Sequence, residues 1–172
     1  LIGLGGIAKE FALALRAAQL GELAAVASRN LKTAEAFARK YKAPRAYGSY
    51  QNLLNDPAVD AVYISTPHPM HSEWSRKAAL AGKHILCEKP VTMTGAEATR
   101  LFKAIRHSKV LFMEAFMYRC HTLIHALIAH LKKNSIGRTR QIRVNFGCKA
   151  AFKPKHRLFD PAIGGGGILD VG

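Results

Sequence analysis

Acidic side chains are scarce in this chain: 11 Asp and Glu face 26 Lys and Arg across 172 residues, a formal charge of +15. Residues 1–90 hold 12 basic and 7 acidic side chains, and the remainder holds 14 and 4. An excess of this size favours contact with phosphate backbones. Motifs that recognise nucleic acid are missing, however. Zinc-finger spacing, a ribonucleoprotein aromatic box and any basic block longer than a pair are all absent. The charge therefore bears on solubility and non-specific association, and no specific nucleic-acid partner is expected.

Cysteine is rarer still. Cys87, Cys120 and Cys148 are odd in number and far apart. That argues against a disulfide framework and for a reduced, intracellular, cytoplasmic protein. No stretch of about 18 uncharged apolar residues occurs, so no membrane-spanning helix is expected. The opening LIGLGGIAKEF has neither a basic n-region nor a small-residue cleavage site, and is not read as a secretory signal. His121 and His125 stand one helical turn apart, but the Glu of H-E-x-x-H and a third ligand are missing, so no metal is expected. Gly164–Gly167 lacks the Lys-Ser/Thr that a P-loop requires. Low-complexity tracts and internal repeats are absent beyond the alternation described next.

What the chain does have is apolar residues, 49% of the total and spread along its length, as a globular protein needs. Short apolar runs of strand length (Leu1–Leu4, Leu23–Ser28, Val59–Ser65, His84–Cys87, Val110–Met113) alternate with helical patterns. Ile7, Phe11, Ala14, Leu15 and Ala18 share one helix face, which Gly21 closes. Asn30 caps a second helix with Ala34, Phe37, Ala38 and Tyr41 on one side. Met70, Trp74, Ala78 and Ala81 line a third that ends at Gly82, and Thr94 with Glu97 forms a capping box for a fourth. Apolar strands that do not alternate, each followed by a helix, predict a parallel sheet covered on both faces. The fold class is α/β, a doubly wound Rossmann sheet, over residues 1–115.

Past Ala115 the rhythm changes. Leu123–Lys133 reads as a helix, and Arg140–Phe146 alternates polar residues with Ile142, Val144 and Phe146, the period of a strand with one wet face. Residues 116–172 are expected to begin a second, α+β open-sheet domain that is incomplete here.

Directly after the first strand comes Gly3-Leu4-Gly5-Gly6-Ile7-Ala8, a G-x-G-x-x-A pattern opening a helix. Gly3 supplies the tight turn, Gly5 lets a pyrophosphate approach the main chain, and small Ala8 lets helix and strand pack closely. The helix N-terminus adds N–H groups and a positive dipole end. In this strand–turn–helix context the pattern predicts dinucleotide binding by Gly3, Gly5, Gly6, Ile7 and Ala8. An NAD site usually carries Asp or Glu at the end of the second strand. Here stand Ser28, Arg29 and Asn30, with Lys32 nearby. A guanidinium and a hydroxyl suit a 2′-phosphate that a carboxylate would repel, so the expected cofactor is NADP, with NAD possible.

The run HILCEKP delivers Glu88 and Lys89 to the end of a strand, and Pro90 restricts Lys89 to extended geometry. Ligands of open α/β sheets bind outside the carboxyl ends of the strands. With GLGGIA, DAVYISTPHPMH, AGKHILCEKP and GGGGILDVG in this order, the whole chain resembles the Gfo/Idh/MocA oxidoreductase family. The stretches MEAFMYRCH and RLFDPAIGGGGILDVG are most similar to its branch acting on D-xylose and trans-dihydrodiols.

The resemblance implies an NADP-dependent dehydrogenase, moving hydride between the nicotinamide and a carbinol carbon of a sugar or diol. It implies that Lys89 handles the substrate proton, with Asp170 as a second catalytic residue behind the glycine run. It implies that Glu88 orients the site and that Thr66, Pro67, His68 and His71 border the nicotinamide and its ribose, with Arg119 near the cofactor. The family often has Asn where His68 stands, and branch relatives usually read His-Pro where this chain has His121-Thr122. A catalytic Tyr or His is implied beyond Gly172, so the chain is expected to be a fragment unable to turn over alone, from a protein that pairs as a dimer. Two other readings stand beside this one: a dinucleotide-binding protein or sensor without turnover, and a basic nucleic-acid binder.

Overall fold

The computed structural model describes residues 1–172 apart from Leu20, Cys148, Arg157, Ile168 and residues 170–172. Residues 1–3 hydrogen-bond on both sides. Ile2 N–H donates to Tyr63 O (2.9 Å) and Ser65 N–H to Ile2 O (2.9 Å), while Ala27 N–H donates to Leu1 O (2.8 Å). Then follow α1 (Gly6–Ala18), β1 (Ala25–Ala27), α2 (Leu31–Tyr41), β2 (Arg45–Tyr47), α3 (Tyr50–Leu54) and β3 (Ala61–Ile64). After these come α4 (His71–Leu80), β4 (His84–Cys87), α5 (Gly95–Ser108), β5 (Phe112–Glu114) and α6 (Thr122–Lys132).

β1 pairs with β2, and β3 with β4 and β4 with β5, all parallel. Ile2 bridges to Ala27 and to Ile64, so the opening segment joins the two ladders into one sheet, ordered β2, β1, residues 1–3, β3, β4, β5. The chain winds outward one way from the middle, then the other. That reversal leaves a crevice at the carboxyl end of the first segment, the switch point at which such sheets bind ligands.

Alternation along each strand feeds two cores. Ala25, Ala27, Val62, Ile64, Ile85 and Cys87 face one side, with Leu53, Leu54, Ala78 and Leu101 of the covering helices. Val26 and Tyr63 face the other, with Ala8, Ala12, Phe37 and Ala38 of α1 and α2. Helices on both faces are what the non-alternating apolar runs predicted. Each fully buried side chain such as Leu53 or Ile64 stabilises this arrangement by roughly 1.5–3 kcal/mol.

Caps behave largely as expected. Asn30 Oδ1 accepts from Thr33 N–H (3.2 Å) and Thr94 Oγ1 from Glu97 N–H (3.2 Å), while Glu97 reaches back to Met93 N–H (3.0 Å). Three expectations are corrected. α1 stops at Gln19 in the left-handed conformation (φ 54°), before Gly21. β2 and α3 lie where no element was expected, because Arg45–Tyr47 is too short and polar to show a period. Arg140–Phe146 forms no strand: a strand's ladder needs a partner, none pairs with it among the described residues, and Ile142, Val144 and Phe146 are each at least 72% exposed.

Candidate active site

Three consecutive strand ends and the opening turn converge at the switch point. Gly3 has φ +85°, and a Cβ there would lie 2.9 Å from Ser65 C, Ser65 O and Thr66 N, so only glycine lets the turn lie against the β3 end. Ser65 Oγ–H donates to Gly3 O (2.9 Å), fastening the same contact. Gly5 and Gly6 differ: a Cβ on either meets nothing within 4 Å. α1 begins without a side-chain cap and without an acid in its first turn. Its first N–H groups and its dipole end are therefore available to an anion over Gly5 and Gly6. Ile7 is about half exposed at this rim, and Ala8 is fully buried under it, the close packing its size allows.

At the β1 end, Ser28 N–H donates to Tyr47 O (3.0 Å) and Ser28 Oγ accepts from Asn30 N–H (3.3 Å). The Ser28 hydroxyl proton has no acceptor among the described residues, and Arg29 stands exposed at the tip. Asn30 was expected to bind cofactor, but its side-chain oxygen is engaged in capping α2. It shapes the loop.

At the β3 end, Thr66 is 6% exposed and its Oγ1 finds no hydrogen-bond partner among the described residues. A buried hydroxyl left unmatched is costly unless something else completes it. Pro67 opens a turn of 3₁₀ helix, His68–Met70. Gly164 (φ +83°) comes over this turn: a Cβ on it would lie 2.9 Å from His68 Nδ1 and 3.0 Å from Met93 Sδ. The late glycine run thus reaches the same end of the sheet. Asp170, expected as catalytic, lies outside the described residues.

His71 takes a part different from the contact expected of it. It is fully buried, with Nδ1 2.8 Å from Pro90 O and Nε2 2.7 Å from Thr66 O. Both ring nitrogens are occupied by backbone, so the ring holds the site and touches nothing outside the protein.

At the β4 end, Glu88 N–H donates to Ile64 O (2.9 Å), extending the ladder to the residue before Lys89. The Tyr63 hydroxyl donates to the Glu88 carboxylate, and the Tyr63 ring stacks on Phe11 of α1 with centroids 3.9 Å apart. Burial, then the Glu88 carboxylate, push the Tyr63 phenol above its ordinary range, so it remains a donor. Beyond Pro90, Val91 N–H donates to Glu114 Oε1 (2.9 Å) at the end of β5. The Lys89–Pro90 peptide bond is cis. Cys87 beneath is fully buried and burial pushes its thiol to about 12, which makes it packing and not a nucleophile.

Tyr63 and Glu114 were not foreseen. Tyr63 sat unmarked in an apolar strand. Glu114 lay inside the stretch MEAFMYRCH, but no role was assigned to it. Arg119 stands exposed on the 3₁₀ helix Met117–Cys120 just after β5. His121 Nδ1 accepts from Leu123 N–H (3.1 Å) as the cap of α6, and no group of three potential metal ligands is assembled among the described residues. The shallow groove between α4 and α5, lined by Glu73, Arg76, Glu97 and Arg100, contains none of these site residues.

An open glycine turn at the switch point, with a lysine at the end of β4 on the same side of the sheet, defines a dinucleotide-binding Rossmann fold. Residues 1–116 match the family described as "Oxidoreductase family, NAD-binding Rossmann fold", and the chain belongs to this Gfo/Idh/MocA family. It is 38% identical over its whole length to D-xylose 1-dehydrogenase (NADP(+)) 2 of Haloferax volcanii, covering 53% of that protein. It is 38% identical over 98% of its length to trans-1,2-dihydrobenzene-1,2-diol dehydrogenase of Danio rerio, covering 50% of it. Among solved structures it resembles KijD10, a 3-ketoreductase from Actinomadura kijaniata in complex with TDP-benzene and NADP, with TM-score 0.72 and 37% identity over 79% of this chain and 43% of that one. The chain spans about half the length of the curated relatives it matches. No described helix is long and apolar enough to cross a membrane.

Proposed function

We propose that this chain carries the cofactor half of an NADP-dependent dehydrogenase acting on the CH–OH group of a sugar or trans-dihydrodiol. The observation that carries the reading is the switch-point crevice itself. The open Gly5–Gly6 turn, the exposed Arg29 and the orphaned Thr66 hydroxyl lie at adjacent strand ends beside Lys89. These residues fit a phosphorylated dinucleotide. Gly5, Gly6 and Ile7 would hold the pyrophosphate at the helix end, Ser28 and Arg29 the 2′-phosphate, and Thr66, Pro67 and His68 would border the nicotinamide ribose. NADP, when bound, supplies the hydride chemistry. Lys89 then gives or takes the proton of the substrate hydroxyl, and Glu88, anchored by Tyr63, fixes the lysine's surroundings.

The activities of the relatives support a sugar or dihydrodiol substrate class, and the use of NADP by two of them agrees with Arg29. Residues 1–115 are taken as the dinucleotide-binding domain and 116–172 as the start of a substrate and dimerisation domain. Asp170 is assigned to catalysis and Arg119 to the cofactor's neighbourhood. A cytoplasmic homodimer is the expected form of the full-length protein.

The test is NADPH fluorescence titration, followed by NADP⁺ reduction with D-xylose and with a trans-dihydrodiol, on the full-length protein. Arg29→Asp should weaken NADPH by about tenfold or more while leaving NADH nearly unchanged. Equal loss of both nucleotides would remove Arg29 from the 2′-phosphate. Binding without turnover on either substrate would favour the sensor reading.

A further inference from the structure

His71 sits where the two halves of the site meet, and its geometry goes beyond anything its sequence position implied. Thr66 ends the β3 loop, and Pro90 follows the lysine at the end of β4. Nothing in the backbone ladder joins these two residues. The ring does, with Nδ1 2.8 Å from Pro90 O and Nε2 2.7 Å from Thr66 O, and with no solvent exposure. Both partners are backbone carbonyl oxygens, so the main chain holds the ring at both nitrogens.

Around the same turn, Val91 N–H is held by Glu114 at 2.9 Å and Glu88 by Tyr63, so the segment carrying Lys89 is fastened on both sides of Pro90. His71 carries the fastening across to the Thr66–His68 loop. Resting on the dehydrogenase reading above, we propose that His71 is a positioning residue. It is a cross-link that sets the distance between the Thr66–His68 loop and Lys89, and so the alignment of hydride and proton transfer. Its loss should appear in kcat and leave cofactor affinity nearly intact, because the pyrophosphate and 2′-phosphate contacts lie on other elements.

The experiment uses full-length protein and three variants. Asn at position 71 places an amide donor near Nδ1 and keeps the Pro90 link; Gln places one near Nε2 and keeps the Thr66 link. His71→Ala should lower kcat about tenfold to a hundredfold, the scale of misplacing a catalytic group by an ångström, with KM for NADP⁺ changed by less than about threefold. His71→Asn or His71→Gln should recover part of that loss. In ¹⁵N-labelled wild type, a His71 ring N–H should exchange slowly with solvent, as an enclosed bridging ring requires.

Unchanged kcat in His71→Ala, or a raised KM for NADP⁺ with kcat intact, would overturn the positioning role. A His71 ring N–H that exchanges as fast as a free imidazole's would overturn the enclosed bridge. If the alanine variant does not fold, the amide variants and the ring-proton spectrum decide. Wild type that binds NADPH but oxidises neither D-xylose nor a trans-dihydrodiol would sink the functional reading instead, and the spectrum would still decide the bridge.

Discussion

The two ends of the sheet use their polar groups in opposite ways. Near the strands' amino ends, Asp56 is a closed hub. Its carboxylate accepts from Ala58 N–H (2.9 Å), Arg45 (3.2 Å) and the Tyr47 hydroxyl (3.0 Å), and Lys83 donates to its backbone carbonyl (2.8 Å). Arg45 also reaches Ala24 O (3.2 Å), so one network ties the entrances of β1, β2, β3 and β4 together. At the carboxyl ends Gly5 and Gly6 face space and Arg29 is exposed, while the buried Thr66 hydroxyl has no partner among the described residues. Polar groups that satisfy one another hold a fold; groups fixed in place with a face unsatisfied are available to a ligand.

The sharpest break of this comparison is at Lys89. Lys89→Met in the full-length protein should lower kcat by about 10²–10⁴, the usual contribution of a positioned acid or base, with the melting temperature little changed. Turnover close to wild type would mean that the open end lacks the proton-transfer group assigned to it.

Within the glycine turn, the closed and the open kinds of contact stand two residues apart. Gly3→Ala forces a Cβ against backbone atoms at 2.9 Å and imposes a left-handed φ of +85° on alanine. The conformational penalty alone costs about 1–2 kcal/mol of stability, before any clash. Gly5→Ala meets no atom within 4 Å and should leave the melting temperature nearly unchanged. It should still weaken NADPH at least about tenfold, because the new methyl occupies the pyrophosphate's approach. Thermal melts paired with fluorescence titrations separate the two. If Gly5→Ala melts early and binds normally, the open face is structural and the cradle lies elsewhere.

How much of this was legible in the sequence follows from how local each cause is. The glycine turn, the Asn30 and Thr94 caps and the strand His84–Cys87 depend on neighbours a few residues away, and each was readable. Lys89 was readable because a strand end is a place in the fold, and the resemblance supplied its role. Tyr63 and Glu114 were hidden because their partners, Glu88 and Val91, are more than twenty residues distant, and only the parallel register brings them together. His71 was seen, but its two carbonyl partners were not, because sequence cannot tell a ring facing the crevice from one enclosed between two carbonyls. Arg140–Phe146 was misread for a related reason, since its alternation is real but a strand exists only with a partner.

The smallest expected effect tests the closed end. The Ala58 N–H holds the Asp56 carboxyl below its ordinary range, helped by the Tyr47 hydroxyl, Arg45 and Lys83, while partial burial opposes the shift. A carboxyl depressed in the folded state binds its proton more readily when unfolded. The network therefore contributes stability above the unfolded value of about 3.9 and loses it as pH falls through the lower folded value. Asp56→Asn removes the charge but keeps the shape. At neutral pH the variant should melt a few degrees below wild type. On acidification below about pH 4 the wild-type melting temperature should fall faster, and the two curves should converge. The amide cannot titrate, so the difference between the curves isolates this one carboxylate from every other acid in the chain. A constant gap across the whole pH range would show that the network works through shape and hydrogen bonding alone, and that its charge adds nothing to the closed end.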